Sequence, residues 1–124
     1  MKVKDKMIRS ALSNNADFHL VAWIQKGKQI IFSTNSLKEN PHFKRVTPDS
    51  AILYSAHAEM AVLLKLSHMK HSAKGLDLFV VRFTKRGERA VSKPCKYCMK
   101  HIREAGIRKV HYIDWDGELK TIKV

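Results

Sequence analysis

The spacing of apolar residues changes several times along the chain. From about Lys2 to Asn14, Val3, Met7, Ile8, Ala11 and Leu12 recur at helical intervals with lysines and Arg9 between them. This predicts an amphipathic helix that stops at Asn14-Asn15. The pattern then becomes nearly continuous. His19–Gln25 and Gln29–Ser33 are apolar and β-prone, and Lys26-Gly27-Lys28 between them predicts a hairpin. Strands this apolar imply a sheet covered on both faces. Thr34–Ser50 loses all periodicity, and its Pro41, Pro48 and polar residues predict a long loop.

Helical spacing returns over Ser55–Lys70. Met60, Leu63, Leu64 and Ser67 are expected on one face, with Val62 and Leu66 widening the stripe. His68, Lys70 and His71 fall in or near its last turn, where cations suit the helix dipole, and are read as capping and solvent-facing. After Gly75, Leu76–Thr84 predicts a third strand, placed centrally, and Lys85–Arg89 a charged turn. Pro94 is suited to open a helix that runs to Ala105 and stops at Gly106. The chain closes with strands over Lys109–Trp115 and Glu118–Val124, and Asp116-Gly117 between them signals a hairpin. No room is left there for a helix, so these two strands should be antiparallel.

Length and charge narrow the picture. The 124 residues suit a single domain spanning 1–124 that buries its own core. No apolar run reaches the ~18 residues of a membrane span, and Met1-Lys2-Val3-Lys4-Asp5-Lys6 has no signal-peptide core, so a cytoplasmic location is expected. The formal net charge of +13 favours a phosphate-bearing partner, because such a field attracts polyanions.

Both cysteines lie in Pro94-Cys95-Lys96-Tyr97-Cys98, and reduced thiols suit the same compartment. Upstream stands His57-Ala58-Glu59. An imidazole, two thiols and a carboxylate are the parts of a catalytic zinc site, in which three protein ligands leave one tetrahedral position open. Zinc brings the pKa of a water it holds to roughly 7. The carboxylate, two residues beyond the imidazole, would move protons. Taken alone, Cys-x-x-Cys is equally a redox pair or half of a structural zinc site.

Together the two pieces resemble the zinc-dependent cytidine and deoxycytidylate deaminase superfamily, whose signature is His-x-Glu followed by Pro-Cys-x-x-Cys. The run from Asn35 to Lys44 is similar to loops of small, phage-type members. The resemblance implies one zinc per chain held by His57, Cys95 and Cys98, with Glu59 as general acid and base. It implies a substrate contact at Asn35, just after the second strand. The basic loop residues Lys44 and Arg45 are further substrate-binding candidates, and His101 is read as a surface residue.

The expected fold is α/β, a cytidine-deaminase-like three-layer α/β/α sandwich. Its mixed five-strand sheet carries the first helix on one face and the two zinc-bearing helices on the other. An antiparallel final hairpin resembles the free-nucleoside branch of the superfamily. His57 as first ligand is common in the other branches, and Met99-Lys100 stands after Cys98 where nucleoside enzymes usually carry Arg-Gln.

The expected activity is hydrolytic conversion of a cytosine base to uracil on a nucleotide or single-stranded nucleic acid. Two alternatives stay open: an adenosine-to-inosine deaminase acting on tRNA or DNA, and a non-catalytic zinc-bearing nucleic-acid-binding module. Phe43, Tyr54 and Trp115 are candidate stacking aromatics for a polymer, or core. No membrane partner is expected, and a homo-oligomer is left open.

Overall fold

The computed structural model describes residues 5–13, 19–39, 45–46, 52–53 and 55–124. In chain order the elements are α1 (Asp5–Leu12), β1 (His19–Lys26), β2 (Gln29–Thr34), β3 (Ser36–Glu39), β4 (Arg45–Val46), β5 (Ile52–Leu53) and β6 (Ser55–Ala56). They continue with α2 (Ala58–His68), β7 (Asp77–Phe83), β8 (Arg89–Ala90), α3 (Lys96–Glu104), β9 (Lys109–Ile113) and β10 (Leu119–Lys123). The main sheet has the order β10-β9-β7-β1-β2, with β8 added to β7 as a sixth strand. It is mixed: β7 and β9 run parallel, while β1–β2, β1–β7 and β9–β10 are antiparallel. The central place of β7 and the antiparallel final hairpin agree with the pattern in the sequence. The sixth strand does not, because two residues of β8 carry no periodicity.

Alternation along the strands divides the core in two. Ala22, Ile24, Leu78, Val80 and Val110 face α2 and α3, joining Val62, Leu66, Cys98 and Ile102. Val21, Trp23, Val81, Phe83 and Ile113 face α1, which buries Met7 and Ala11 against them. Both faces are therefore covered, as continuous apolar strands require. At the outer edge, the Lys65 ammonium donates to the Phe32 carbonyl at 3.1 Å, and Lys6 and Lys65 both stand over the Phe32 ring.

Four local expectations need correcting. Thr34–Ser50 is not all loop, since β3 pairs with β6 and β4 with β5. α2 begins at Ala58, not Ser55, and its buried stripe is Ala58, Glu59, Val62 and Leu66, whereas Ser67 is exposed. Val62 and Leu66 are in the buried stripe as expected, and the Glu59 carboxylate joins them there. Pro94 lies outside α3, one residue before its N-cap Cys95. The last hairpin turns over Asp114–Glu118, so Trp115 leaves the strand and is 87% exposed. Gly117 takes φ +77° in that turn, a conformation that glycine adopts without steric cost.

Candidate metal centre and active site

Each of the two helices on the sheet's inner face begins with a ligand candidate. His57 is the N-cap of α2, with extended backbone (φ −81°, ψ 147°) and no side-chain capping bond. Serine, threonine or aspartate usually holds this position because its oxygen satisfies a helical N–H. His57 forgoes that bond, and its Nδ1 stands 3.2 Å from Cys98 Sγ and 3.7 Å from Cys95 Sγ. Cys95 is the N-cap of α3, and its sulfur accepts from the Cys98 N–H at 3.5 Å. Residues 38 positions apart thus meet because two helix N-termini point to one spot.

The donor set fits zinc. Ligand atoms of His57, Cys95 and Cys98 all lie within 4.8 Å of one another. Tetrahedral bonds of ordinary Zn–N and Zn–S length would set nitrogen and sulfur about 3.5 Å apart, and the two observed distances bracket that spacing. The hydrogen bond from Cys98, then His57, brings the Cys95 thiol down to about 3, the thiolate form that a metal needs.

Glu59 sits beneath this group. It is 3% exposed, and its Oε1 is buried without a hydrogen-bond partner among the described residues. Burial pushes its carboxyl above the ordinary range, and the Cys95 thiolate adds to that. Its own backbone N–H, the His57 charge and the Cys98 thiol pull the other way. All three ligand candidates therefore act on this one carboxyl. An unpaired buried oxygen is costly unless a group from outside the protein completes it. A carboxylate held dry, with a raised pKa, beside a place for an ion is suited to carrying protons.

The other candidates are less closely gathered. Asn35 follows β2, and its Oδ1 accepts from the Leu20 N–H at 2.9 Å. Ser36 pairs with Ala56, so Asn35 and His57 are the next residues along the two facing segments. Lys44, Phe43 and Tyr54 lie outside the described residues, and Arg45 is described only through its backbone pairing with Leu53. His101 is partly exposed, 3.9 Å from Glu104 and beside the Tyr97 ring, as a surface histidine should be. His71 meets Lys26 at 3.2 Å, a contact across the fold that its place near a helix end did not suggest. Ser92 is buried between β7 and β9, three positions before Cys95. A serine in a loop gives no signal of its own.

Fold and site together define a zinc-binding nucleobase-deaminase architecture. The chain belongs to the cytidine and deoxycytidylate deaminase family, whose zinc-binding region matches residues 1–114. Its fold is similar to that of cytidine deaminase from Burkholderia pseudomallei, with TM-score 0.63 and 16% identity over 98% of this chain and 93% of that one. It is also similar to dCMP deaminase from the cyanophage S-TIM5 in complex with dCMP and dUMP, with TM-score 0.55 and 23% identity over 88% and 82%. Cytidine deaminase from Mycobacterium leprae gives TM-score 0.56 and 17% identity over 94% and 87%. No curated protein matches the sequence significantly. Among the described residues, no helix is long and apolar enough to cross a membrane.

Proposed function

We propose that this zinc-dependent deaminase converts the cytosine base of a phosphate-bearing substrate, a pyrimidine nucleotide, to uracil. The observation that carries the reaction is Glu59, buried against the three ligand candidates with one oxygen unpartnered among the described residues. Zinc, when bound by His57, Cys95 and Cys98, supplies hydroxide at neutral pH. Glu59 accepts the proton released as the nucleophile adds to C4 and gives it to the ring nitrogen; it then takes the hydroxyl proton of the C4 adduct and passes it to the departing amine. Ammonia leaves, and a carbonyl remains at C4. The helix N-termini at His57 and Cys95 favour the negative charge that builds up there. Asn35, oriented by the Leu20 amide, contacts the substrate, and Lys44 and Arg45 attract its phosphate. Two facts support a nucleotide over a nucleoside: the net charge of +13, and likeness to a phage enzyme bound to dCMP and dUMP.

A second reading, single-stranded nucleic acid, is favoured by Trp115, whose exposed ring suits base stacking. A panel of cytidine, deoxycytidine, their 5′-monophosphates, adenosine, and single-stranded DNA and RNA separates the two by the amine-to-carbonyl mass shift. The expected result is a kcat/KM for a monophosphate at least about tenfold above its nucleoside, a gain that one charge-assisted contact can supply. Oligonucleotide turnover that falls steeply with salt, with a log–log slope of about −0.7 per phosphate contacted, would replace the nucleotide with the polymer. Equal turnover of nucleoside and monophosphate would reduce the charge to a solubility feature.

A further inference from the structure

Between the carboxyl ends of β7 and β9 the sheet forks. The two strands pair in parallel only from Asp77–Lys109 to Phe79–His111. Beyond that, β7 turns to β8, pairing Arg82 with Ala90 and Phe83 with Arg89. Ser92 stands in the fork. Its hydroxyl donates to the Val80 carbonyl at 2.7 Å and accepts from the Ile113 N–H at 2.8 Å, while its own N–H donates to the Ile113 carbonyl at 2.9 Å. One residue, 3% exposed, replaces the ladder bonds that the splayed strands lack. Of the natural side chains of this size, only a hydroxyl both donates and accepts there.

The short segment that follows leads to the metal. Lys93 precedes a proline and is biased to extended backbone, and Pro94 has its φ fixed by its ring. Cys95 comes next, as the N-cap of α3. Two residues with little freedom therefore connect the clamp to the first thiol, and the helix connects it to the second. His57 arrives separately, on α2. We propose that Ser92 is the positioning residue of the metal site, with its hydroxyl setting where Cys95 and Cys98 stand relative to His57. The proposal rests on those three residues binding zinc.

The test is zinc affinity measured by chelator competition, with absorption of the cobalt-substituted protein as a second readout. Wild type, Ser92→Ala, Ser92→Thr and Val110→Ala are compared, the last being a core truncation at the other end of β9. Ser92→Ala should weaken zinc on the order of tenfold, the low end of what loss of a partner bonded directly to a ligand costs, and should shift the cobalt bands. Ser92→Thr keeps both hydroxyl bonds and should restore affinity and spectrum. Unchanged affinity and bands in Ser92→Ala overturn the proposal. Equal weakening in Val110→Ala also overturns it, since the effect would then be general stability. Wild-type protein that binds no zinc overturns the site itself.

If Ser92→Ala does not fold, amide exchange in the wild type decides. Coupling is reciprocal, so zinc should slow exchange of the Ile113 amide at least about tenfold more than that of Ile24. Equal slowing at the two amides overturns the proposal.

Discussion

The two ends of the central strand treat polar groups in opposite ways. At the amino end of β7, Asp77 receives two hydrogen bonds from Arg108 at 3.0 and 3.2 Å and lies 2.9 Å from His111 Nε2. The other His111 nitrogen meets Thr121 at 2.9 Å, and the ring stacks on Phe79 at 4.5 Å. Every partner there comes from the chain. At the carboxyl end, His57 leaves its helix uncapped, two thiols converge on one imidazole, and Glu59 has a buried oxygen without a partner among the described residues. Satisfied groups stabilise a fold, whereas groups held in place and left incomplete are available for an ion and a substrate.

Cysteine replacement tests this contrast most severely. Purified wild type should carry about one zinc per chain, and Cys98→Ser should lose both metal and turnover, read by metal analysis and the deamination assay. Full zinc occupancy in that variant would remove Cys98 from the ligand set. Glu59→Gln separates holding the ion from using it: zinc stays, and turnover falls by roughly 10² to 10⁴. Turnover like that of wild type would leave the site without a proton carrier.

The amino end should respond in stability alone. Gly106 takes φ +83°, and a Cβ there would meet the Lys74 backbone at 3.2 Å. Gly106→Ala should therefore cost about 1–3 kcal/mol in denaturant unfolding, with zinc content unchanged. Asp77→Asn should lower Tm by roughly 3–6 °C at pH 7. The effect is modest because Arg108 is largely exposed and its charge is screened. Partial burial opposes ionisation of Asp77, yet the bonds from Arg108 and His111 hold its pKa below the usual carboxylate range. Its contribution is therefore complete above the unfolded value of about 3.9 and fades as pH falls toward the folded one. The Tm gap between Asp77→Asn and wild type should close below about pH 4, measured by thermal melts. A gap that persists in acid would assign the stabilisation to shape, not charge.

These two ends were not equally legible in the sequence. His57, Glu59, Cys95 and Cys98 could be read because each pair sits within one helical turn, where spacing fixes geometry. The hairpins could be read for the same reason. What spacing cannot supply is contact between distant segments. Asp77, Arg108 and Thr121 look like ordinary surface residues until β9 lies beside β7 and β10 beside β9. Ser92 gains meaning only from Val80 and Ile113. The burial of Glu59 on the inner face of α2 runs against its charge, so apolar spacing alone does not show it. Asn35 is an intermediate case. Its place after a strand could be seen, but its bond to Leu20 could not.

The guarded margin of the sheet bears on how copies of the chain can associate. Lys65 occupies the Phe32 carbonyl on β2, and a second lysine stands over the same ring, so an incoming strand would have to displace charge before it could pair. β10, the other margin, exposes Leu119 but carries Lys120 and Lys123. Strand addition at β10 would bring the lysines of two copies together, and like charge opposes it. Both margins of the sheet therefore discourage growth into a fibre by strand addition.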